Sequence, residues 1–148
     1  MRTWVAAAAA WSCGAAGAPE AAAQNREAVE ELGQLMTRFV EAWREGDSQA
    51  LADVFAMDEG RILWVGGAAN SEQARSMTFR AAVERDRPRP SYGRTGWRIA
   101  SLDIVNDEMA VAKLEIEDGD VLSIDYMLCY RINGQWKIVA NTFVITPP

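Results

Sequence analysis

The residues from Val121 to Val144, VLSIDYMLCYRINGQWKIVANTFV, constrain what this chain can fold into more than any other stretch. Two runs rich in β-branched and aromatic residues meet at Asn133-Gly134, the pair best suited to the two positive φ angles of a type I′ turn. The segment therefore reads as a long β-hairpin. A two-residue turn sets Ile132 opposite Gln135 and, counting outward, pairs Tyr130 with Lys137, Leu128 with Val139, Tyr126 with Asn141, and Ile124 with Phe143. Directly opposed residues share a face. One face then carries Leu122, Ile124, Tyr126, Leu128, Tyr130, Val139, Asn141, Phe143 and Ile145. The other carries Ser123, Asp125, Met127, Cys129, Arg131, Trp136, Ile138, Ala140, Thr142 and Val144. Both faces are too apolar for water, so the sheet is expected to be covered by the chain's own helices on one side and by a second copy on the other. The covering copy is assigned to the face around Trp136, Ile138 and Met127.

Upstream, Asn25 to Glu45 places Val29, Leu32, Met36, Phe39, Val40 and Trp43 at the three-and-four spacing of an amphipathic helix that ends at Gly46. Asp47 or Ser48 caps a second helix with Ala50, Leu51, Val54 and Phe55 inward. Arg61 to Val65 reads as a short strand reaching a turn at Gly66-Gly67, and Ser71 begins a third helix with Ala74, Met77, Phe79, Ala82 and Val83 as its buried positions. The prolines of Asp86 to Gly96, DRPRPSYGRTG, make that segment a long loop. Trp97 to Val105 and Met109 to Ile116 are strands joined around Asn106-Asp107, and Asp118-Gly119 turns the chain into the hairpin. Helices that precede a four-strand meander predict an α+β domain.

Composition excludes several functions. Over 148 residues the net charge is −6 and there is no histidine. A nucleic acid or an anionic membrane surface would be repelled on average. Ser-His and Cys-His pairs, HExxH helices and imidazole-bound zinc are ruled out, and nothing in the pattern points to a metal site or a cofactor. Any chemistry must rest on carboxylates, Lys, Arg, Tyr or a bound group.

Residues 1–23, MRTWVAAAAAWSCGAAGAPEAAA, have the charged start, short apolar middle and A-x-A ending of an export signal. Pro19 disfavours a cut after Ala18, so cleavage is expected between Ala23 and Gln24; Cys13 is a poor lipoprotein acceptor. Residues 24–148 then form one domain, exported to a periplasm or beyond, with no integral membrane segment. Cys129 is its one remaining cysteine, expected to be a small buried hydrophobe.

The order of elements resembles the NTF2-like superfamily, whose cystatin-like cone packs three N-terminal helices on a strongly curved, mainly antiparallel sheet. FVEAWREGDSQALADVFAMD, WRIASLDIVNDEMAVAKLEI and DYMLCYRINGQWKIVANTF carry the likeness. The last two are most similar to the lumazine-binding branch, alongside the polyketide-cyclase-like (SnoaL-like) members. The resemblance implies a cavity between helices and sheet. It also allows a comparison with ketosteroid isomerase, which uses an aspartate base together with a tyrosine and a protonated aspartic acid as donors. Counting from Gly46 and Gly134, those three roles fall on Leu63, Phe39 and Tyr126, and Phe143 falls on an apolar cavity position. Leu and Phe neither donate nor accept protons.

Three functions compete on this basis. The first is an exported module binding a small, mostly apolar molecule in a cavity lined by Phe39, Trp43, Trp64, Tyr126, Asn141 and Phe143. The second is a cyclase-, dehydratase- or isomerase-like enzyme using Tyr126 with a carboxylate such as Asp58, Glu59 or Asp125. The third is a dimeric interaction module without a ligand. Asp125 is expected to face solvent or a partner copy. Arg85, Arg87, Arg89 and Arg94 are expected to decorate an exposed loop.

Overall fold

A computed structural model of the chain describes residues 18–65, 73–85, 95–105 and 107–146. The export signal up to residue 17, the Gly66-Gly67 turn, the start of the expected third helix at Ser71 and the proline-rich segment from 86 to 94 lie outside them. Among the described residues three helices and six strands follow the order α1 (Ala18–Glu45), α2 (Ser48–Val54), β1 (Arg61–Val65), β2 (Ala74–Thr78), α3 (Phe79–Arg85), β3 (Thr95–Val105), β4 (Met109–Asp118), β5 (Val121–Ile132) and β6 (Gln135–Thr146). The strands form one curved sheet in the order β2-β1-β6-β5-β4-β3. Only β1 and β6 run parallel. The α+β architecture inferred from the sequence is the one observed.

Helix α1 buries Ala28, Leu32, Leu35, Met36, Phe39, Val40 and Ala42. That stripe is turned slightly from the expected one. Val29 and Trp43 lie at its exposed edge, and the small side chains of Ala28 and Ala42 take the inward positions. Gly46, at φ +70°, ends the helix in the left-handed conformation that glycine tolerates best. Asp47 then accepts from the backbone N–H groups of Gln49 and Ala50, both at 3.0 Å, and so caps α2. The chain after Ser71 departs from expectation. Residues 74–78 pair antiparallel with β1, and the helix begins only at Phe79, where the Thr78 hydroxyl accepts from Ala81 N–H at 3.1 Å. The β-branched Thr78 thus ends a strand and caps a helix.

The hairpin turn is as expected: Asn133 and Gly134 sit at φ +52° and +77°. The register is not. Ile132 faces Gln135, Tyr130 faces Lys137 and Cys129 faces Ile138, but a bulge at Val139 then sets Leu128 opposite Ala140. Every later residue of β6 is shifted by one. Asn141 faces Met127 rather than Tyr126, and Phe143 faces Asp125 rather than Ile124. Because side chains alternate with a period of two, the shift moves Asn141 and Phe143 to the face of Asp125, Met127, Cys129 and Ile138. The bulge lies where β6 changes neighbours on its other edge. Phe55 bridges to Ile138, and Ala56 N–H donates to the Ile138 carbonyl at 3.0 Å; from Ala140 onward the neighbour is β1.

The helices cover this second face. Met127, Cys129 and Ile138 are fully buried, and Trp136 nearly so. The face expected to meet a partner copy is therefore the chain's own core, and the uncovered face carries Val111, Tyr126, Tyr130 and Val144. At the hairpin end, Glu31 of α1 accepts from Arg131 at 2.7 Å and from the Trp136 indole N–H at 3.1 Å, while Arg131 also donates to Asp107 at 2.9 Å. Phe55, the C-cap of α2, and Phe79, the first residue of α3, stack at 4.0 Å.

Candidate functional site

Rows of side chains across the covered face run from closed core to partial exposure. Ala110, Cys129 and Ile138 form one buried row, and Ala112, Met127 and Asn141 the next. Leu114 and Asp125 are buried in the third row, where Phe143 is only half-buried. In the last row Ile116, Ser123 and Trp97 are half-buried and Ile145 is exposed. On the flank, Ile62 lies beside Asn141, and Trp64, two residues further along β1, shares its side. The closed core stops at the third row.

Two polar side chains stand at that boundary: Asp125, 5% exposed, and Asn141, 3% exposed. They are diagonal neighbours on β5 and β6, with Asn141 Nδ2 donating to Asp125 Oδ2 at 3.1 Å. Ser123, one row away on the same strand, donates its hydroxyl to Asp125 Oδ1 at 2.5 Å. Burial raises the Asp125 pKa above the ordinary carboxylate value, and the bonds from Ser123 and Asn141 offset part of the rise. Both partners are neutral, and among the described residues no cation compensates the charge. Asn141 Oδ1 is buried without a hydrogen-bond partner among the described residues. Such atoms are rare, since more than about 90% of buried polar groups are satisfied.

The other expected site residues scatter. Phe39 is sealed in the core, packed against Trp43 and, edge-on, against Phe55. Trp43 is 40% exposed at the end of α1. Tyr126 is 47% exposed on the opposite sheet face beside Lys113, so it cannot work with Asp125. Asp58 and Glu59 are exposed; Asp58 is tied to Arg80 by a forked ion pair of 2.5 and 2.9 Å, which holds its carboxyl below the usual range. Cys129 is buried, and burial pushes its thiol up to about 12, which leaves it inert. Asn141, Phe143 and Trp64 thus stay together on the inner face, joined by Asp125 and Ser123, and Tyr126 leaves it. Asp125 was among the carboxylates the sequence offered but was expected to face solvent or a partner copy, and Ser123 was not singled out; the legible sign of the two was an Asp, with a Ser two residues before it, inside an otherwise apolar strand. Among the described residues no helix is long and apolar enough to cross a membrane.

A family model described as "Putative lumazine-binding" matches residues 24–144. The chain belongs to this family. Its fold is that of the NTF2-like superfamily, as solved structures bear out. An NTF2-like protein of unknown function from Shewanella baltica OS155 is 18% identical, covers 85% of this chain and 97% of its own, and superposes with a TM-score of 0.66. An NTF2-like protein of unknown function from Silicibacter pomeroyi DSS-3 is 22% identical over 82% of this chain and 98% of its own, with a TM-score of 0.65. A protein described as "Putative Scytalone Dehydratase" from Novosphingobium aromaticivorans DSM 12444 is 14% identical over 84% and 88% of the two chains, with a TM-score of 0.63. At these identities the likeness speaks for the fold of the family and not for an activity. No curated protein matches the chain.

Proposed function

We propose that the chain binds a small, largely apolar molecule between its helices and the inner sheet face, with Asp125, Asn141 and Ser123 as the polar end of the site. The unpartnered Asn141 Oδ1, set where the closed core gives way to half-buried Phe143 and Trp64, carries this reading. A few convergent polar groups in apolar surroundings are the usual make-up of a ligand pocket. The family description supports ligand binding in general. The test is native mass spectrometry of the protein purified from its own host. A retained small mass that is lost in Asn141→Leu supports the reading, and an empty protein that also ignores a panel of aromatic ligands rejects it.

A second reading makes the family member an enzyme in which Asp125 carries a proton to or from the bound molecule. The raised pKa of a carboxyl beside a partly open face favours it. Tyr126 has no part in it. Solvent deuterium entering a retained ligand in the wild type but not in Asp125→Asn separates turnover from binding.

Two further proposals concern the whole molecule. Residues 1–23 act as an export signal. The family match beginning at Gln24 supports this, and a mature N-terminus at Gln24 in the exported protein is the expected result. The uncovered sheet face, with Tyr126, Tyr130, Val111 and Val144 exposed, pairs two copies. A monomer at micromolar concentration in ultracentrifugation overturns the pairing.

A further inference from the structure

We propose that the polar end of this site takes a positively charged amine on an apolar body, an arylalkylammonium in preference to a neutral or anionic molecule of the same shape. The inference rests on the binding reading above and names the charge of its ligand.

The cluster has hydrogen-bond acceptors to spare and few donors. Asp125, 5% exposed, accepts one bond on each carboxylate oxygen, from the Ser123 hydroxyl on Oδ1 and from Asn141 Nδ2 on Oδ2. A carboxylate has about four lone-pair sites, so roughly half of its capacity is unused. Asn141, 3% exposed, leaves Oδ1 without a partner among the described residues. Turning the amide over would not help, because it would set an oxygen against Asp125 Oδ2 at 3.1 Å. Ser123 has a single hydroxyl hydrogen, and it is committed to Asp125. One Nδ2 hydrogen of Asn141 is all that the three side chains have left to give. The cluster lacks a donor with several hydrogens, and a protonated amine brings up to about three.

Charge points the same way. Neither partner of Asp125 is charged, and burial raises the carboxyl above its ordinary value, the mark of an anion held without a counter-ion. Its row across the sheet is Ile99, Leu114 and Phe143. Arg98 of β3 and Lys113 of β4 belong to the opposite face, where they pair with Glu115 at 2.5 and 3.5 Å. Arg131 is held by Glu31 and Asp107 at the hairpin end, and Arg80 of α3 by Asp58. Arg75 shares the inner side of the sheet through its partner Trp64, but it is exposed on the edge strand, three strand spacings or roughly 14 Å from Asp125. None of these cations meets Asp125, and a bound ammonium would supply the missing counter-ion.

The walls beyond the three polar side chains favour an organic cation over a metal ion. Mg²⁺ or Ca²⁺ wants about six oxygen ligands or more, and the neighbouring rows offer Leu114, Met127 and Ile116 instead. Half-buried Phe143, opposite Asp125, and half-buried Trp64 and Trp97 on the two flanks add aromatic rings, which attract a cation and cover the apolar body that carries it.

The experiment compares tryptamine, a cation at neutral pH, with its neutral alcohol counterpart tryptophol and with the anion indole-3-propionate, by calorimetry on the purified protein. The expected result is that tryptamine binds and the other two are weaker by about tenfold or more, the usual worth of a hydrogen bond to a charged group. In Asp125→Asn, shown to be folded by circular dichroism, tryptamine and tryptophol should bind alike, and a preference that persists there overturns the role given to Asp125. If that variant does not fold, the comparison on the wild-type protein decides alone. Binding of tryptophol or of indole-3-propionate as tight as that of tryptamine overturns the assignment of charge and leaves a ligand cavity standing. Displacement of tryptamine by an equal concentration of potassium chloride gives the site to an inorganic ion and overturns the organic one. Failure of all three indoles up to their solubility overturns both the charge assignment and the binding reading.

Discussion

Replacing Gly60 by alanine should destabilise the protein sharply, although the backbone there demands nothing of glycine. A Cβ at this position would lie 2.4 Å from Cδ2 and 2.6 Å from Cε2 of Phe79, and 2.5 Å from the carbonyl oxygen of Ala56. Ordinary contacts of this kind begin near 3.4 Å. Neither neighbour has room to yield. Phe79 is fully buried and stacked on Phe55 at 4.0 Å, and the Ala56 carbonyl is fixed by accepting from Gly60 N–H at 2.7 Å. Overpacking of this sort costs about 1–3 kcal/mol, and two simultaneous overlaps, one with backbone, place Gly60→Ala near 3 kcal/mol. For a domain of this size that corresponds to a fall in Tm of roughly 10 °C. Urea unfolding followed by tryptophan fluorescence reads the change directly, with an unaltered slope showing that the unfolded state is the same. Phe79→Leu, which removes the ring edge, should recover part of the loss in the double variant and leave the part due to Ala56. A single variant within about 0.5 kcal/mol of wild type would refute the packing described for this corner.

Three other outcomes are expected. Because burial raises the Asp125 pKa, the group favours the folded state fully only below its unfolded value of 3.8 and loses that contribution as pH rises through the folded value. Asp125→Asn, which retains partners for Ser123 and Asn141, should therefore unfold at higher denaturant than wild type at neutral pH, with the gap closing under acid; no gap at neutral pH would contradict a destabilising charge. Gly134→Ala should cost about 1 kcal/mol in thermal unfolding, since at φ +77° a side chain is strained although nothing lies within 4 Å of its Cβ. Glu31→Ala should cost about 1–2 kcal/mol by leaving the Trp136 N–H without its acceptor, and Glu31→Gln distinctly less; equal losses in the two would mean that the charge, and not the acceptor, matters.

Much of this protein is legible from local chemistry alone. The Asn133-Gly134 turn, the Gly46 stop, the Asp47 cap and the four-strand meander are each decided by a few adjacent residues, and each is observed. The stretch at Ala74–Thr78 has a helical look in the sequence and pairs as a strand, because a five-residue segment with mixed pattern takes its state from the partner it meets, here β1. The candidate site is only half legible. Asn141, Phe143 and Trp64 do line the inner face, but their polar companion there is Asp125 and not Tyr126. One extra residue at Val139 makes the difference, and it inverts the facing of everything beyond it. Strand alternation is a local rule and can be counted along a sequence. A bulge is set by what lies on the far edge of the strand, where Phe55 and Ala56 hold β6 before the bulge and β1 holds it after. The sequence by itself determined that a long hairpin turns at Asn133-Gly134 and closes an α+β sheet; tertiary contact alone decided which of its carboxyls, amides and phenols came to be buried together, because the register of β6 answers to segments some eighty residues away.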